Sequence, residues 1–342
     1  MKEKNYTIEF LRFFFTIGVV IGHTWCVFYQ RNNPSYEIQF HNACVDFFFV
    51  LSGFFMAAHF KNNYNSDGGG YVRYNFSRIK RLFPLLLIAS LEGIAYELLQ
   101  GKFYPEKWAS FFFLGGINQF PVWNVIWYIS SLFWCSIFCS GLLCFFKKLS
   151  VLFYFPLIAF LSLSLLNIYG NCNLGGTPLL CSWFSSGLVR GLCGLIFGIE
   201  AFFLSGYVQQ NLYKLKKGTV CFLSYLIEIS FIVLVFYLAF KQKFNNREFL
   251  MYFSVASLLI LIKLNRHHIF KVFNHKIWGI LGKISAMIYV THFYLIKVFS
   301  HIDLIRLLPD AAVYCLCSVL SIFVGGIFFE LEKKIERLLH NL

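Results

Sequence analysis

The chain has 342 residues, 58% of them hydrophobic, 20% aromatic and only 13% charged, about half the charged share of an ordinary soluble domain. That balance excludes a soluble or a disordered protein and predicts a chain that crosses a bilayer many times. A net charge of +14 and a pI near 9.3 would also suit a nucleic-acid binder, but the basic residues alternate with the loops between apolar runs. They report orientation in a membrane, and no nucleic acid is expected as a partner.

In chain order, apolar runs of membrane-crossing length fall at 9–28, 43–60, 82–100, 125–146, 149–168, 187–207, 219–240, 248–265, 284–300 and 311–330. They predict an all-α, polytopic membrane protein of about ten transmembrane helices in one bundle. With no internal repeat and no linker, residues 1–342 read as a single membrane-embedded domain. A cytoplasmic N-terminus puts most of the 30 Lys and Arg on the inward side, so both termini are expected in the cytoplasm. The first run has no small-residue cleavage site and contains Glu9 and Arg12, so it reads as a retained helix.

That first run also carries Arg12 and His23, eleven positions apart. At about 100° and about 1.5 Å per residue they share one helix face, separated by about 16 Å in depth. Arg12, near the run's start, is able to snorkel; His23 is not. A basic residue at a helix centre costs about 2.5 to 3.5 kcal/mol on insertion scales, so such groups face cavities and mark function, with satisfied packing as the other reading. The second run contains Val45-Asp46-Phe47-Phe48-Phe49-Val50-Leu51-Ser52-Gly53-Phe54. Antiparallel neighbours would bring Asp46 to the depth of His23, where a carboxylate orients the imidazole and stabilises its protonated form; a span-edge carboxylate in water is the alternative. Ser52-Gly53 permits close helix approach.

The inward stretch 61–81 is read as a loop with an Asp67-Gly68-Gly69-Gly70 turn, ending in Arg78-Ile79-Lys80-Arg81 before Pro84. Arg78 and Arg81 share a helix face, and guanidinium pairs bind phosphate through forked hydrogen bonds. Topology and headgroup contact explain them equally well. With Arg12 at the same surface they would form a landing site for a polyanion, below a shaft leading to His23. Farther on, Trp108 to Phe120 is apolar but too short to cross, so it is expected at the interface or re-entrant, roofing an outward cavity. Trp127, Tyr128 and Ser130 open the fourth run with polar groups in an apolar setting. In the ninth run His292 lies mid-membrane with Tyr289 one turn earlier, either lining a cavity or bonding across helices.

The 11 cysteines show no CxxC pair and no metal-ligand spacing, so they read as packing residues and no metal is expected. Cys172 and Cys181 share an outward loop and either pair or stay free. The segment from Glu330 to Leu342 reads as a solvated helix end without chemistry.

Together these motifs resemble the membrane-bound acyltransferase 3 family, whose members O-acetylate sugars of bacterial surface polysaccharides. The matches are Arg-x10-His at Arg12 and His23, the block Val45 to Phe54, Arg-x-x-Arg at Arg78 and Arg81 followed by Pro84, Trp127-Tyr128, and Ser285 to His292. Val290 and Thr291 stand where the family more often has Leu and an apolar residue, and Ser130-Ser131 where some members carry an acidic residue. The resemblance implies a bacterial cytoplasmic membrane, acyl-CoA (acetyl-CoA or a longer homologue) bound from the cytoplasm, and a glycan hydroxyl as acceptor on the outward side. It makes His23 the catalytic histidine and Arg12, Arg78 and Arg81 the essential arginines. It also leads to the expectation that the chain lacks the extracytoplasmic hydrolase-like domain of some relatives. In the mechanism expected from these residues His23 is a general base oriented by Asp46, with a covalent acyl-His as the variant. The rival reading is an exporter or flippase of polysaccharide or lipid-linked sugar; a scaffold subunit of a glycan-assembly complex is the third.

Overall fold

The structure is a computed structural model that describes residues 5–29, 40–62, 68–102, 104–117, 120–122, 125–169, 179–180, 184–214, 216–240 and 249–340. Its helices are α1 (Tyr6–Phe28), α2 (Phe40–Asn62), α3 (Gly68–Leu99), α4 (Ile126–Leu149), α5 (Phe155–Tyr169), α6 (Ser186–Asn211), α7 (Lys217–Phe240), α8 (Leu250–Lys263), α9 (Lys276–Phe299), α10 (Asp303–Arg306) and α11 (Asp310–His340). Among the described residues the sheet is limited to a two-residue antiparallel pairing of Leu179–Leu180 with Phe184–Ser185. Among the described residues eight helical stretches are long and apolar enough to cross a bilayer. One of them, Ile126–Tyr169, has 44 residues; as a straight helix it would measure about 66 Å, twice the hydrocarbon core of about 30 Å. It does not run straight. Phe146 leaves helical geometry at φ −134°, ψ 33°, and the Ser150 hydroxyl donates to the Leu142 carbonyl at 2.9 Å, eight residues back. The chain therefore bends away at Phe146, and α4 and α5 correspond to two of the predicted crossings.

The architecture is all-α and polytopic, as the apolar runs predict, with one correction in the stretch read as an inward loop. The helix α3 begins at Gly68, so Arg78 and Arg81 sit well inside a helix of 32 residues. No breaker separates Gly70 from Pro84, and Tyr71, Tyr74 and Ile79 give this segment an apolar side packed on the core. The glycines that suggested a turn instead form the first turn of the helix.

Two contacts fix the frame of the site. Helices α1 and α9 run parallel: the Tyr6 N–H donates to Asn274 Oδ1 at 2.8 Å just before α9, Phe10 meets Trp278 edge-on at 4.8 Å, and His23 meets His292 at the far ends. Helices α2 and α6 touch backbone to backbone, because a Cβ at Gly53 would collide with the Leu195 carbonyl and one at Gly198 with the Val50 carbonyl. Such contact depends on the absence of a side chain, as is usual where helices pack in a membrane without a hydrophobic driving force. The close approach anticipated at Ser52-Gly53 thus has its partner in α6. The faces of the bundle are named below by α1: the N-terminal face, where it begins, and the opposite face.

Candidate functional site

Near the N-terminal face a cavity of about 340 Å³ lies among α1, α2, α3, α4, α9 and α11. Arg12, Arg78, Arg81 and Lys283 line it, and the acid among its lining residues is Glu332. Arg12 also bonds Glu9 one turn before it, at 3.0 Å. Arg78 Nε is buried with no hydrogen-bond acceptor among the described residues. Three guanidinium groups and an ammonium against one lining acid give this ligand-sized cavity a net positive charge, and the fork of Arg has the geometry that suits phosphate. The sequence separates these residues by as much as 271 positions; parallel α1 and α9, with α3 beside them, bring them to one level.

The deep wall of the cavity is made by Tyr128 and Tyr289, their ring centroids 5.2 Å apart. Behind Tyr289, its ring 5.9 Å away, stands His292, fully buried. His292 Nε2 lies 2.7 Å from His23 Nδ1, and the two rings are nearly parallel at 10°. The proton positions follow from the network. His292 Nδ1 is 3.1 Å from the Ile288 carbonyl, which only accepts, so Nδ1 carries the hydrogen. A neutral His292 then has a bare Nε2, which accepts from His23 Nδ1–H. His23 is left with its own Nε2 bare, the arrangement of a general base held in one tautomer by a second group. The ring is further confined by Phe293, edge-on at 5.3 Å, and by His41 at 5.0 Å. Gly22 makes room for the latter: a Cβ there would lie 2.5 Å from that of His41.

Asp46 has other partners. Its Oδ1 accepts from Arg190 Nε at 3.1 Å and from the Tyr252 hydroxyl at 2.9 Å, and Arg190 Nη2 lies 3.0 Å from the same oxygen. Arg190 Nη2 also donates to the Asn42 carbonyl at 2.7 Å. The expectation that Asp46 orients His23 is therefore corrected: a buried cation captures the carboxylate, and His292 takes the place beside the imidazole. Trp127 belongs to this second cluster, with the Arg190 guanidinium 5.6 Å from its ring, and it does not line the cavity. Neither does Ser130, which is fully buried with no hydrogen-bond partner for its hydroxyl among the described residues. From this turn of α4 the cavity is lined by Tyr128, Ile129 and Leu132 instead.

Sequence reasoning missed Arg190, Glu332 and Lys283. The first had a usable signal, an arginine inside an apolar run. Glu332 was assigned to a solvated helix end, yet it is only 8% exposed and faces the arginines. Lys283 was counted only toward orientation. Cys172 and Cys181 lie outside the described residues; the nine described cysteines are free, and no cluster suited to a metal occurs among the described residues.

Fold and site define a multi-pass membrane protein with a cationic cavity at one end and a histidine pair beyond its deep wall. The chain belongs to the acyltransferase 3 family, whose model, described as an acyltransferase domain, matches residues 5–330. No curated protein and no solved structure matches it. It is an acyltransferase of the membrane type.

Proposed function

We propose that the protein transfers an acyl group, acetyl in the simplest case, from cytoplasmic acyl-CoA to a hydroxyl of a cell-surface or lipid-linked glycan. The N-terminal face is placed in the cytoplasm of a bacterium, following the excess of Lys and Arg on that side, and the protein in the inner membrane. One observation carries the reading: the cationic cavity ends at Tyr289, directly in front of the His292–His23 pair. The phosphates of acyl-CoA sit among Arg12, Arg78, Arg81 and Lys283, and its long thin pantetheine arm reaches past Tyr289 and Tyr128 toward His23. That passage requires the Tyr289 ring to turn aside.

His23 Nε2 removes the proton of the acceptor hydroxyl as the oxygen attacks the thioester carbonyl. The C–O bond forms, the C–S bond breaks, and the proton passes from His23 to the departing thiolate, so the base is regenerated. His292 holds the reactive tautomer throughout. Such base catalysis contributes about 10² to 10⁴ in rate.

The test is consumption of labelled acetyl-CoA by purified protein with a glycan acceptor. Label is expected on the glycan with the wild type and lost by that factor in His23→Ala. No acetyl-CoA consumption with a competent acceptor, alongside glycan movement across the bilayer, would establish an exporter instead.

A further inference from the structure

The opposite end of the molecule holds two more cavities, of about 220 and about 630 Å³, which share Tyr96 and Lys297 in their walls. The larger begins at Cys26 and Val27, three and four positions after His23 and so on its helix face, one turn farther out. Phe293 links the two sites: its ring meets that of His23 at 5.3 Å and lies 4.6 Å from Lys297 Nζ. The Lys297 ammonium also sits over Tyr96 at 5.4 Å and Tyr294 at 5.8 Å. No carboxylate of a described residue pairs with it. The nearby acid, Glu97, is taken by Lys107, which bonds its Oε1.

Glu97 is only 6% exposed, and its Oε2 is buried without a hydrogen-bond donor among the described residues. The walls around it add Lys102 and, in the larger cavity, Arg306 and His301. Arg306 Nε is bonded to the Ser300 carbonyl at 2.7 Å. Asp310 bonds Tyr29 at the far rim, and Asp303 and Glu106, in the short helices that carry Arg306 and Lys107, do not line the cleft. The cleft therefore offers tyrosine faces and an excess of positive charge: Lys102, Lys297 and Arg306 line it, while the carboxylate in its walls, Glu97, is bonded to Lys107. A neutral sugar would use the tyrosine faces and leave the excess positive charge unanswered. An acidic sugar answers both.

We propose that this cleft is the acceptor site and that the acceptor is an acidic sugar, its anionic group on Lys297 and its ring against Tyr96 and Tyr294, beside the Phe293 ring that meets His23. This rests on the reading of His23 as the base that receives an acceptor proton.

The experiment is equilibrium binding to the full chain in nanodiscs of zwitterionic lipid, without acyl-CoA. The probes are a uronic-acid oligosaccharide, its neutral methyl ester, and a sugar phosphate. The wild type is expected to prefer the acid to the ester by about tenfold or more, as one charge-assisted contact allows. Lys297→Gln should abolish that preference and Lys297→Arg should restore it; the tighter of the two acidic probes identifies carboxylate or phosphate. Equal affinity for acid and ester, or a preference that survives in Lys297→Gln, would overturn the proposal. So would loss of uronate binding when phosphatidylglycerol is added to the nanodiscs, because Lys297 would then serve a lipid headgroup. Because this assay contains no donor it reads the site alone: binding as expected here, with no transfer in the separate acetyl-CoA assay, would contradict the proposed enzymatic reaction and leave this site standing.

Discussion

At the scale of single residues, two imidazoles stand where the sequence leads one to expect an imidazole and a carboxylate. A neutral histidine orienting another avoids placing a bare negative charge in the membrane, where an unpaired ion is costly. It also makes a specific prediction. His292→Ala should reduce turnover by about 10², the scale of a misplaced catalytic group, with little change in KM for acyl-CoA. In His292→Gln the side-chain oxygen can still accept from His23 Nδ1–H, so much of the rate should return; steady-state kinetics on both variants checks this. Asp46 behaves differently in this account. Asp46→Ala leaves the 2%-exposed Arg190 without its counter-ion, a loss of about 3 to 5 kcal/mol. The unfolding midpoint should fall, while turnover per folded molecule is largely kept. Lost turnover at unchanged thermal stability would show that Asp46 acts on the chemistry after all.

At the scale of elements, the sequence was most readable where apolarity and length alone decide. The runs at 9–28, 125–146 and 149–168 anticipate α1, α4 and α5. It was least readable where a residue's meaning depends on a distant partner. Gly68-Gly69-Gly70 reads as a turn by composition, but the amphipathic segment after it continues the helix of Arg78 and Arg81 back to Gly68. Trp108 belongs to the short 3₁₀ helix Pro105–Phe112 and is half exposed, while Tyr104 and Lys107 from the same region line the outer cleft. Gly53→Val tests the α2–α6 contact: its side chain overlaps the Leu195 carbonyl, and overpacking of this kind costs about 1 to 3 kcal/mol, read as a lower thermal midpoint in detergent.

The segment between α8 and α9 offers a pH test. Glu228 on α7 accepts from the backbone N–H groups of His268, Ile269 and Phe270 at 2.9 to 3.2 Å. Next to it His267 is only 3% exposed, its Nε2 3.5 Å from the Thr7 hydroxyl. Burial lowers the His267 pKa below its ordinary 6.5; Lys271 and His268 act in the same direction and the Glu228 carboxylate opposes them. The unfolded chain therefore binds more protons here as pH falls through 6.5, and this group's contribution to stability, full above that value, declines below it. His267→Gln should flatten the dependence of the melting temperature on pH between about 7 and 5.

At the scale of the whole molecule, the parallel pair α1 and α9 forms a spine joining two charged ends. Arg12 and Lys283 stand at one end, His23 and His292 farther along, and Lys297 at the other. The spacing of Arg12 and His23 made half of this spine legible from sequence. The other half was not, because nothing in a local pattern says that α9 runs beside α1 in register, or that Asp46 answers Arg190 from 144 positions away. The most direct measurement is acyl transfer in proteoliposomes of defined orientation, with labelled acyl-CoA confined to the Arg12 side and glycan to the Lys297 side. Labelled glycan is predicted with the wild type, little with Arg78→Ala/Arg81→Ala at low donor concentration, and none above background with His23→Ala. Transfer only when donor and glycan share a compartment, or an undiminished rate in His23→Ala, would contradict a route through the bundle to that imidazole.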